Sequence, residues 1–178
     1  MPHRFLAVLL TLAVVGGAHA GKAHVHGAGT IDISIDKDQL VISLELPLDA
    51  AVGFERAPKN AAEKTALDDA AKALNDAAAL FLPTPAANCS LQSVDVQVPF
   101  RAATSKAAKP SREEHGDEGH ADIDARYVFR CANPAALKGV ETRLFGHFKR
   151  LYRLEVQRVG PGGQAAGRLT PKQPGLSW

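Results

Sequence analysis

Residues 31–46 read IDISIDKDQLVISLEL and carry the clearest structural pattern of the sequence. Apolar residues alternate with polar ones on both sides of a short polar turn at 36–39. Such alternation is typical of strands that bury one face. Two alternating runs joined by a short turn form a hairpin. The stretch therefore predicts two antiparallel strands at the start of a sheet.

Two helices are predicted further along the chain. Asn60 and Glu63 fit a capping box, and an apolar face at helical spacing follows over residues 67–81. The pair at 133–134, Asn-Pro, is typical of a helix start, and apolar residues at helical spacing continue to Phe148.

Four more alternating runs predict strands at residues 94–100, 123–131, 152–156 and 164–169. The resulting order is ββαββαββ. It predicts a single-domain α+β fold, in which about six strands form an antiparallel sheet and two helices pack on it.

The amino-terminal residues are typical of a secretory signal. Arg4 precedes an apolar run at 5–15, and Ala18-His19-Ala20 supplies a small-x-small cleavage pattern. We expect a signal peptide at residues 1–20, cleavage after Ala20 and a periplasmic domain at residues 21–178. A retained anchor is the alternative, but the apolar run is short for a membrane span, and none follows in the mature chain.

Composition excludes some functions. The formal net charge is +2, so nucleic acid is not an implied partner. The sequence contains no HExxH, no GxSxG and no Gly-rich phosphate loop. We therefore predict that the protein is not an enzyme, with a metallohydrolase as the weaker alternative.

The two cysteines, Cys89 and Cys131, are expected to form a disulfide. An even pair in an exported protein favours this bond. The antiparallel pairing of strands 94–100 and 123–131 also brings the two residues side by side. The alternative is a pair of soft metal ligands, which the lack of a CxxC motif and of a neighbouring histidine disfavours.

Histidines and carboxylates form two clusters that could bind a metal. His24 and His26 stand two apart before the first strand, so both imidazoles point to one side of an extended chain. Residues 101–122 form a polar loop, which we expect to be flexible and which carries His115, His120 and Asp122. Imidazole and carboxylate ligands suit zinc, and also copper or nickel.

Each cluster also has a simpler explanation. The His-x-His pair could be a chance occurrence, or it could bind copper or nickel together with a nearby free amino terminus. The loop could be an acidic stretch that is merely solvated. Because both clusters precede strands of one exported domain, we favour a shared metal site.

Several motifs occur in the same order along nearly the whole mature chain. They are His24-Val25-His26-Gly27, the segment 53–58 (GFERAP), His120-Ala121-Asp122-Ile123, the segment 127–131, Leu144-Phe145 with Phe148, and Gln164 with Leu169-Thr170. Together they resemble the ZrgA family of zinc-uptake proteins. The resemblance implies a periplasmic, zinc-regulated protein that assists zinc import beside an ABC transporter or its binding protein. The family often has histidine at the position of Arg56, and relatives can carry more loop histidines.

The sequence thus favours a periplasmic zinc-binding protein with His24, His26, His115, His120 and Asp122 as candidate ligands. The alternative from another class is an envelope interaction or structural domain whose charged loop contacts a partner. The sequence leaves open the physiological metal, the number of metal sites, the oligomeric state and the identity of the transporter partner.

Overall fold

Nine strands and four short helices make up the part of the chain that the computed structural model describes, residues 25–101 and 121–178. The strands are β1 Ala28–Asp36, β2 Gln39–Pro47, β3 Phe81–Pro83, β4 Cys89–Gln97, β5 Asp122–Cys131, β6 Gly139–Thr142, β7 Arg153–Gly160, β8 Gly163–Leu169 and β9 Gly175–Ser177. The helices are α1 Leu48–Val52, α2 Ala61–Asn75, α3 Ala77–Leu80 and α4 Leu144–His147. The predicted single-domain α+β class is confirmed.

The main sheet has six strands in the order β4-β5-β2-β1-β7-β8. The three predicted hairpins, β1-β2, β4-β5 and β7-β8, are all present and antiparallel. The prediction of a wholly antiparallel sheet is wrong, because β1 and β7 pair in parallel with Thr30 opposite Glu155. Alternation identifies a strand but not its partner, and these two partners are far apart in sequence.

The predicted second helix at 133–148 is also wrong. This segment contains a 3-10 turn at Pro134–Ala136, then β6 and the single turn of α4. β6 joins β3 and β9 in a second, three-stranded sheet. Gly139 is a poor helix residue, and Val140 and Thr142 are β-branched. Local preference therefore favours a strand, although the apolar spacing also fits a helix.

The first predicted helix is confirmed as α2 but ends earlier than expected. The side chain of Asn60 accepts a hydrogen bond from the Glu63 backbone N–H at 2.9 Å, as in a capping box. After Asn75 the chain changes direction at Asp76, whose carboxylate accepts a hydrogen bond from the N–H of Ala79 and begins α3. The end of the predicted apolar face, Phe81, starts β3 instead.

The core lies between one face of the main sheet and a layer made of the helices and the small sheet. Ile31, Ile42 and Phe129 on the inner sheet face pack with Leu74 of α2 and Val140 of β6 in one buried cluster. The predicted inward-facing residues of the first hairpin are therefore confirmed. The opposite face of the main sheet is mostly polar and exposed.

The predicted disulfide is present. Cys89 and Cys131 lie directly opposite each other in the β4-β5 pair, with an S–S distance of 2.04 Å. Within residues 25–101 and 121–178, no helix is long and apolar enough to cross a membrane.

Candidate metal centre

Three chain segments meet at one edge of the main sheet. β1 and β5 are both antiparallel to β2, so they run in the same direction and begin at the same edge, where β2 ends. Pro47, at the end of β2, pairs with Asp122, at the start of β5. The Leu48 N–H continues this contact by donating to the Ala121 carbonyl at 2.8 Å. His26, just before β1, lies at the same edge.

Three side chains at this edge bring metal-binding atoms together. The Nδ1 atom of His26 lies 3.2 Å from Oδ2 of Asp49 and 3.6 Å from Oε1 of Glu55. The three donor atoms all lie within 4.8 Å of one another. We call His26, Asp49 and Glu55 the edge cluster.

Asp49 is the most buried member of the edge cluster. It lies in the first turn of α1, between Leu48 and Ala50, which are fully buried. Only 6% of Asp49 is exposed, and its Oδ1 atom has no hydrogen-bond partner in the part of the chain that the structure describes. A buried carboxylate oxygen without a donor is costly, and a bound cation would relieve that cost.

Glu55 lies in the loop that follows α1. Gly53 ends the helix with φ +88°, a conformation that favours glycine, and turns the chain back toward the sheet edge. The next residue, Phe54, is half-buried and packs against the core. The guanidinium of Arg56 lies 5.2 Å from the centre of the Phe54 ring.

A bidentate ion pair between Arg56 and Glu63 holds the loop after α1 to α2. The two terminal nitrogens of the Arg56 guanidinium, Nη1 and Nη2, donate to the carboxylate of Glu63 at 2.7 and 2.9 Å. The Lys59 backbone N–H donates to the same carboxylate. These bonds, the one from Arg56 first, lower the pKa of Glu63 to about 2. Arg56 therefore holds the loop in place and contributes no metal donor.

His26 is fixed at its backbone and open at its side chain. The neighbouring Gly27 has φ +72°, and a Cβ there would lie only 2.7 Å from the Arg150 carbonyl oxygen and from the Tyr152 ring. The Tyr152 N–H donates to the Gly27 carbonyl at 2.9 Å. The imidazole of His26 is 70% exposed, so an ion can reach the edge cluster from solvent on this side.

Of the predicted ligands, the structure places His26 in the edge cluster, and it adds two candidate donors that the sequence analysis did not single out. His26 belongs to the edge cluster, and Asp122 lies at the same sheet edge without belonging to the three-donor group. His24, His115 and His120 lie outside the described residues, as do the predicted signal peptide and most of the predicted loop at 101–122. The missed donors are Asp49 and Glu55.

Each missed donor left a weak signal in the sequence. Asp49 is a charged residue in an otherwise apolar run that directly follows the end of β2. Glu55 lies within the GFERAP segment that carries the family resemblance. Neither signal alone indicates a metal, because only the fold shows that both carboxylates face His26.

The fold and the edge cluster define a small α+β domain with a candidate metal site at a sheet edge. A family model described as the ZrgA family zinc uptake protein matches residues 23–178. The chain therefore belongs to the ZrgA family of zinc uptake proteins, which confirms the resemblance seen in its motifs. No curated protein matches the chain at significant similarity.

Proposed function

We propose that this protein binds zinc in the periplasm at the edge cluster and assists its uptake by passing the ion to a zinc importer. The observation that carries the proposal is the convergence of His26, Asp49 and Glu55 on one small volume. Membership of a zinc uptake family supports zinc as the metal and uptake as the general role.

The donor spacing supports a tetrahedral ion. Two ligands that each bind zinc at about 2.1 Å lie about 3.4 Å apart when they meet at a tetrahedral angle. The separations of 3.2 and 3.6 Å from the His26 nitrogen to the Asp49 and Glu55 oxygens are close to this value. Small side-chain movements are therefore enough to bring these donors to zinc.

The donor set alone does not choose among zinc, copper and nickel. One imidazole and two carboxylates suit zinc and other borderline metals. Both cysteines are bound in the disulfide, so the described residues offer no free thiolate that would favour copper(I). The preference for zinc rests on the family.

Three protein donors leave a fourth position on a tetrahedral zinc ion. We propose that one of the remaining sequence candidates, His24, His115, His120 or Asp122, occupies it. Asp122 is supported by its place at the same edge of the sheet. A weakly held fourth ligand suits a protein that must release its ion.

Export is part of the proposal. The disulfide and the zinc uptake family both fit an oxidising compartment such as the periplasm. We propose that residues 1–20 direct this export and are removed. The partner that receives the ion is then a zinc ABC importer or its binding protein.

The test is zinc titration of the mature chain against a competing chelator. His26→Ala, Asp49→Asn and Glu55→Gln should each weaken zinc binding by at least about tenfold, because each removes a ligand. His147→Ala and Asp36→Asn are the matched controls, because His147 is exposed in α4 and Asp36 ends β1 at the far edge. Both controls should bind zinc like the parent.

The two alternatives give different results. Equal zinc affinity in all variants would refute the edge cluster and favour an interaction domain. Three protein donors with an open position also occur in catalytic zinc sites. Zinc-dependent hydrolysis of ester or peptide substrates that disappears in Asp49→Asn would therefore replace the proposal with a metallohydrolase.

A further inference from the structure

We propose that Arg150 is a built-in positive charge that weakens zinc binding at the edge cluster and so speeds release of the ion. This inference rests on the proposed function. The Nε atom of Arg150 donates to the backbone carbonyl of Asp49 at 2.9 Å, and Nη2 lies 3.9 Å from Oδ2 of the same residue. The guanidinium thus lies beside the oxygen that also faces His26.

The fold holds Arg150 in this place from both sides. Phe148, two residues before Arg150, and Leu151, directly after it, are buried, and the Leu151 N–H donates to the Phe148 carbonyl at 3.0 Å. The next residue, Tyr152, is bonded to the carbonyl of Gly27. The segment that carries Arg150 is therefore anchored to Gly27, which follows His26.

The side chain of Arg150 passes beside Gly53 at ordinary van der Waals distance. The Cδ and Nε atoms of Arg150 lie 3.6 Å from the point where a Cβ of Gly53 would stand. The carbonyl of Asp49 accepts the Gly53 N–H at 2.8 Å as well as the Arg150 Nε–H. The backbone bond sets where the guanidinium sits, while its contact with the Asp49 carboxylate stays long.

In this geometry Arg150 places a positive charge near Asp49 without occupying the lone pairs of its carboxylate. At 3.9 Å the guanidinium is too far from Oδ2 of Asp49 to form a strong hydrogen bond. The carboxylate lone pairs remain available to a metal, yet a permanent positive charge remains close to it. Guanidinium stays protonated at any working pH. The formal charge of Asp49 and Glu55 together is −2, and Arg150 reduces it to −1.

The neighbouring arginines are engaged elsewhere. Arg56 pairs with Glu63 of α2, and Arg153 pairs with Glu155 of β7. Arg150, in contrast, has a member of the edge cluster as its ion-pair partner. A charge placed in this way lowers affinity for any cation, which suits a protein that transfers its ion.

The size of the effect is limited by solvent. The side chain of Arg150 is 61% exposed, so water and salt screen its charge. We expect its removal to tighten zinc binding by roughly tenfold at low salt. The rate of zinc dissociation should fall by a similar factor, because the site geometry is unchanged.

The experiment compares variants of the mature chain by chelator-competition titration and by stopped-flow zinc release. Arg150→Met removes the charge and keeps the apolar stem, whereas Arg150→Lys keeps the charge. Lys149→Met is the matched control, because it removes an exposed neighbouring charge that forms no ion pair with Asp49 within residues 25–101 and 121–178. Measurements at about 0.02 M and about 0.5 M salt bracket the screening length from about 20 Å down to about 4 Å.

The expected result is tighter zinc binding in Arg150→Met at low salt, with the difference shrinking at high salt. Arg150→Lys and Lys149→Met should stay within about threefold of the parent, since each leaves a positive charge near the site. Thermal melts of the zinc-free variants check that each one folds. A variant that only loosened the structure would bind more weakly and show no such salt dependence.

Three outcomes would overturn the role of Arg150. They are unchanged or weaker zinc binding in Arg150→Met, a tightening that salt does not reduce, and an equal tightening in Lys149→Met. The proposed function fails separately. If Asp49→Asn in the same titrations binds zinc like the parent, the edge cluster is not the site. Loss of binding in Asp49→Asn together with no change in Arg150→Met rejects only the arginine.

Discussion

The Nδ1 atom of His26 lies 3.2 Å from Oδ2 of Asp49, and a single hairpin sets this distance. His26 precedes β1 and Asp49 follows β2, so the paired strands carry both residues to one sheet edge. Seven residue pairs fix the hairpin register from Thr30–Glu45 to Asp36–Gln39. A donor pair held this way is arranged before the metal arrives, which lowers the ordering cost of binding.

Asp49→Asn should separate metal binding from stability. The amide keeps the shape of the side chain but removes the negative charge, so zinc affinity should fall by at least about tenfold. The melting temperature of the zinc-free protein should stay the same or rise, because Asp49 no longer opposes the charge of Glu55. Zinc at about 100 times its Kd should stabilise the parent by about 2.7 kcal/mol and stabilise the variant much less.

Thermal melts with and without zinc measure both effects. Asp36→Asn at the other end of β1 serves as the control and should keep the full zinc-induced shift. A large loss of stability in zinc-free Asp49→Asn would show that the carboxylate is structural rather than a metal ligand.

The sequence predicted the elements whose signal is local. Alternation identified β1, β2 and β5, and the hairpin between residues 94 and 131 correctly implied the Cys89–Cys131 disulfide. The sequence did not decide whether the two histidine clusters meet through strands that run the same way or through a loop folded back over the first strand. β1 and β5 do run the same way. Residues 137–148 were wrongly predicted as helical because their apolar spacing fits a helix, whereas Gly139, Val140 and Thr142 favour the observed strand.

The rest depended on long-range pairing that no local pattern contains. The parallel β1-β7 contact places Tyr152 against Gly27 and brings Arg150 to the sheet edge. Asp49 becomes recognisable as a candidate ligand only when its burial is known. His26 was predictable because two histidines near a strand are rare, whereas single acidic residues are common.

Glu63 provides a test of how the loop that follows α1 and carries Glu55 is held to α2. Its pKa is lowered to about 2 from an ordinary value of about 4.5, mainly by the hydrogen bonds from Arg56. A lowered folded-state pKa means that the ion pair stabilises the fold above about pH 4.5 and that this contribution is lost as the pH falls through about 2. Glu63→Gln should therefore melt at a lower temperature than the parent at pH 7, and the difference should vanish near pH 2.

Arg56→Met is the partner control for this prediction. It should give a smaller loss at pH 7 that also disappears at low pH, because Glu63 still accepts the Lys59 N–H. The double variant should be little worse than Glu63→Gln alone, since both break the same ion pair. A difference between Glu63→Gln and parent that persists unchanged at pH 2 would assign the effect to packing instead of charge.

The disulfide should stabilise the domain without affecting the metal. Cys131 ends β5 and Asp122 begins it, so the bond lies at the opposite edge of the sheet from the edge cluster. The bridge spans a sequence separation of 42, and the chain-entropy relation gives about 4 kcal/mol for a loop of that size. Denaturant unfolding of Cys89→Ser/Cys131→Ser should show this loss, while zinc affinity at low temperature should stay within about threefold. Loss of zinc binding in a folded variant would contradict the prediction that the disulfide does not affect the metal site.

Tyr127 joins the sheet to α2 through one buried hydrogen bond. Its hydroxyl donates to the Leu74 carbonyl at 2.9 Å, its ring lies 4.9 Å from that of Phe81, and burial raises the pKa of the phenol well above its usual range. Tyr127→Phe keeps the ring contact and leaves the Leu74 carbonyl short of a donor, so unfolding free energy should drop by about 1–2 kcal/mol. Denaturant titration measures the loss. No loss would mean that water replaces the hydroxyl.

The last prediction concerns whether the two histidine clusters share one ion. Asp122 pairs with Pro47 across β5-β2, and Pro47 ends the strand that separates Asp122 from the start of β1. Two strand spacings amount to about 10 Å between the backbones of β1 and β5 at this edge. Side chains that extend from both sides can span that gap through a metal bound between them.

We therefore expect Asp122→Asn to weaken the same zinc site as His26→Ala, because Asp122 is the fourth candidate at this edge of the sheet. His24→Ala, His115→Ala and His120→Ala should have smaller effects. A shared site that has already lost one ligand binds the ion weakly, so removing a second ligand costs less. His26→Ala combined with Asp122→Asn should therefore cost less affinity than the sum of the single changes. Isothermal titration of the mature chain gives both the stoichiometry and these couplings. Additive losses, or two zinc ions bound with independent affinities, would show two separate sites: the edge cluster, and another formed by the residues around 115–122.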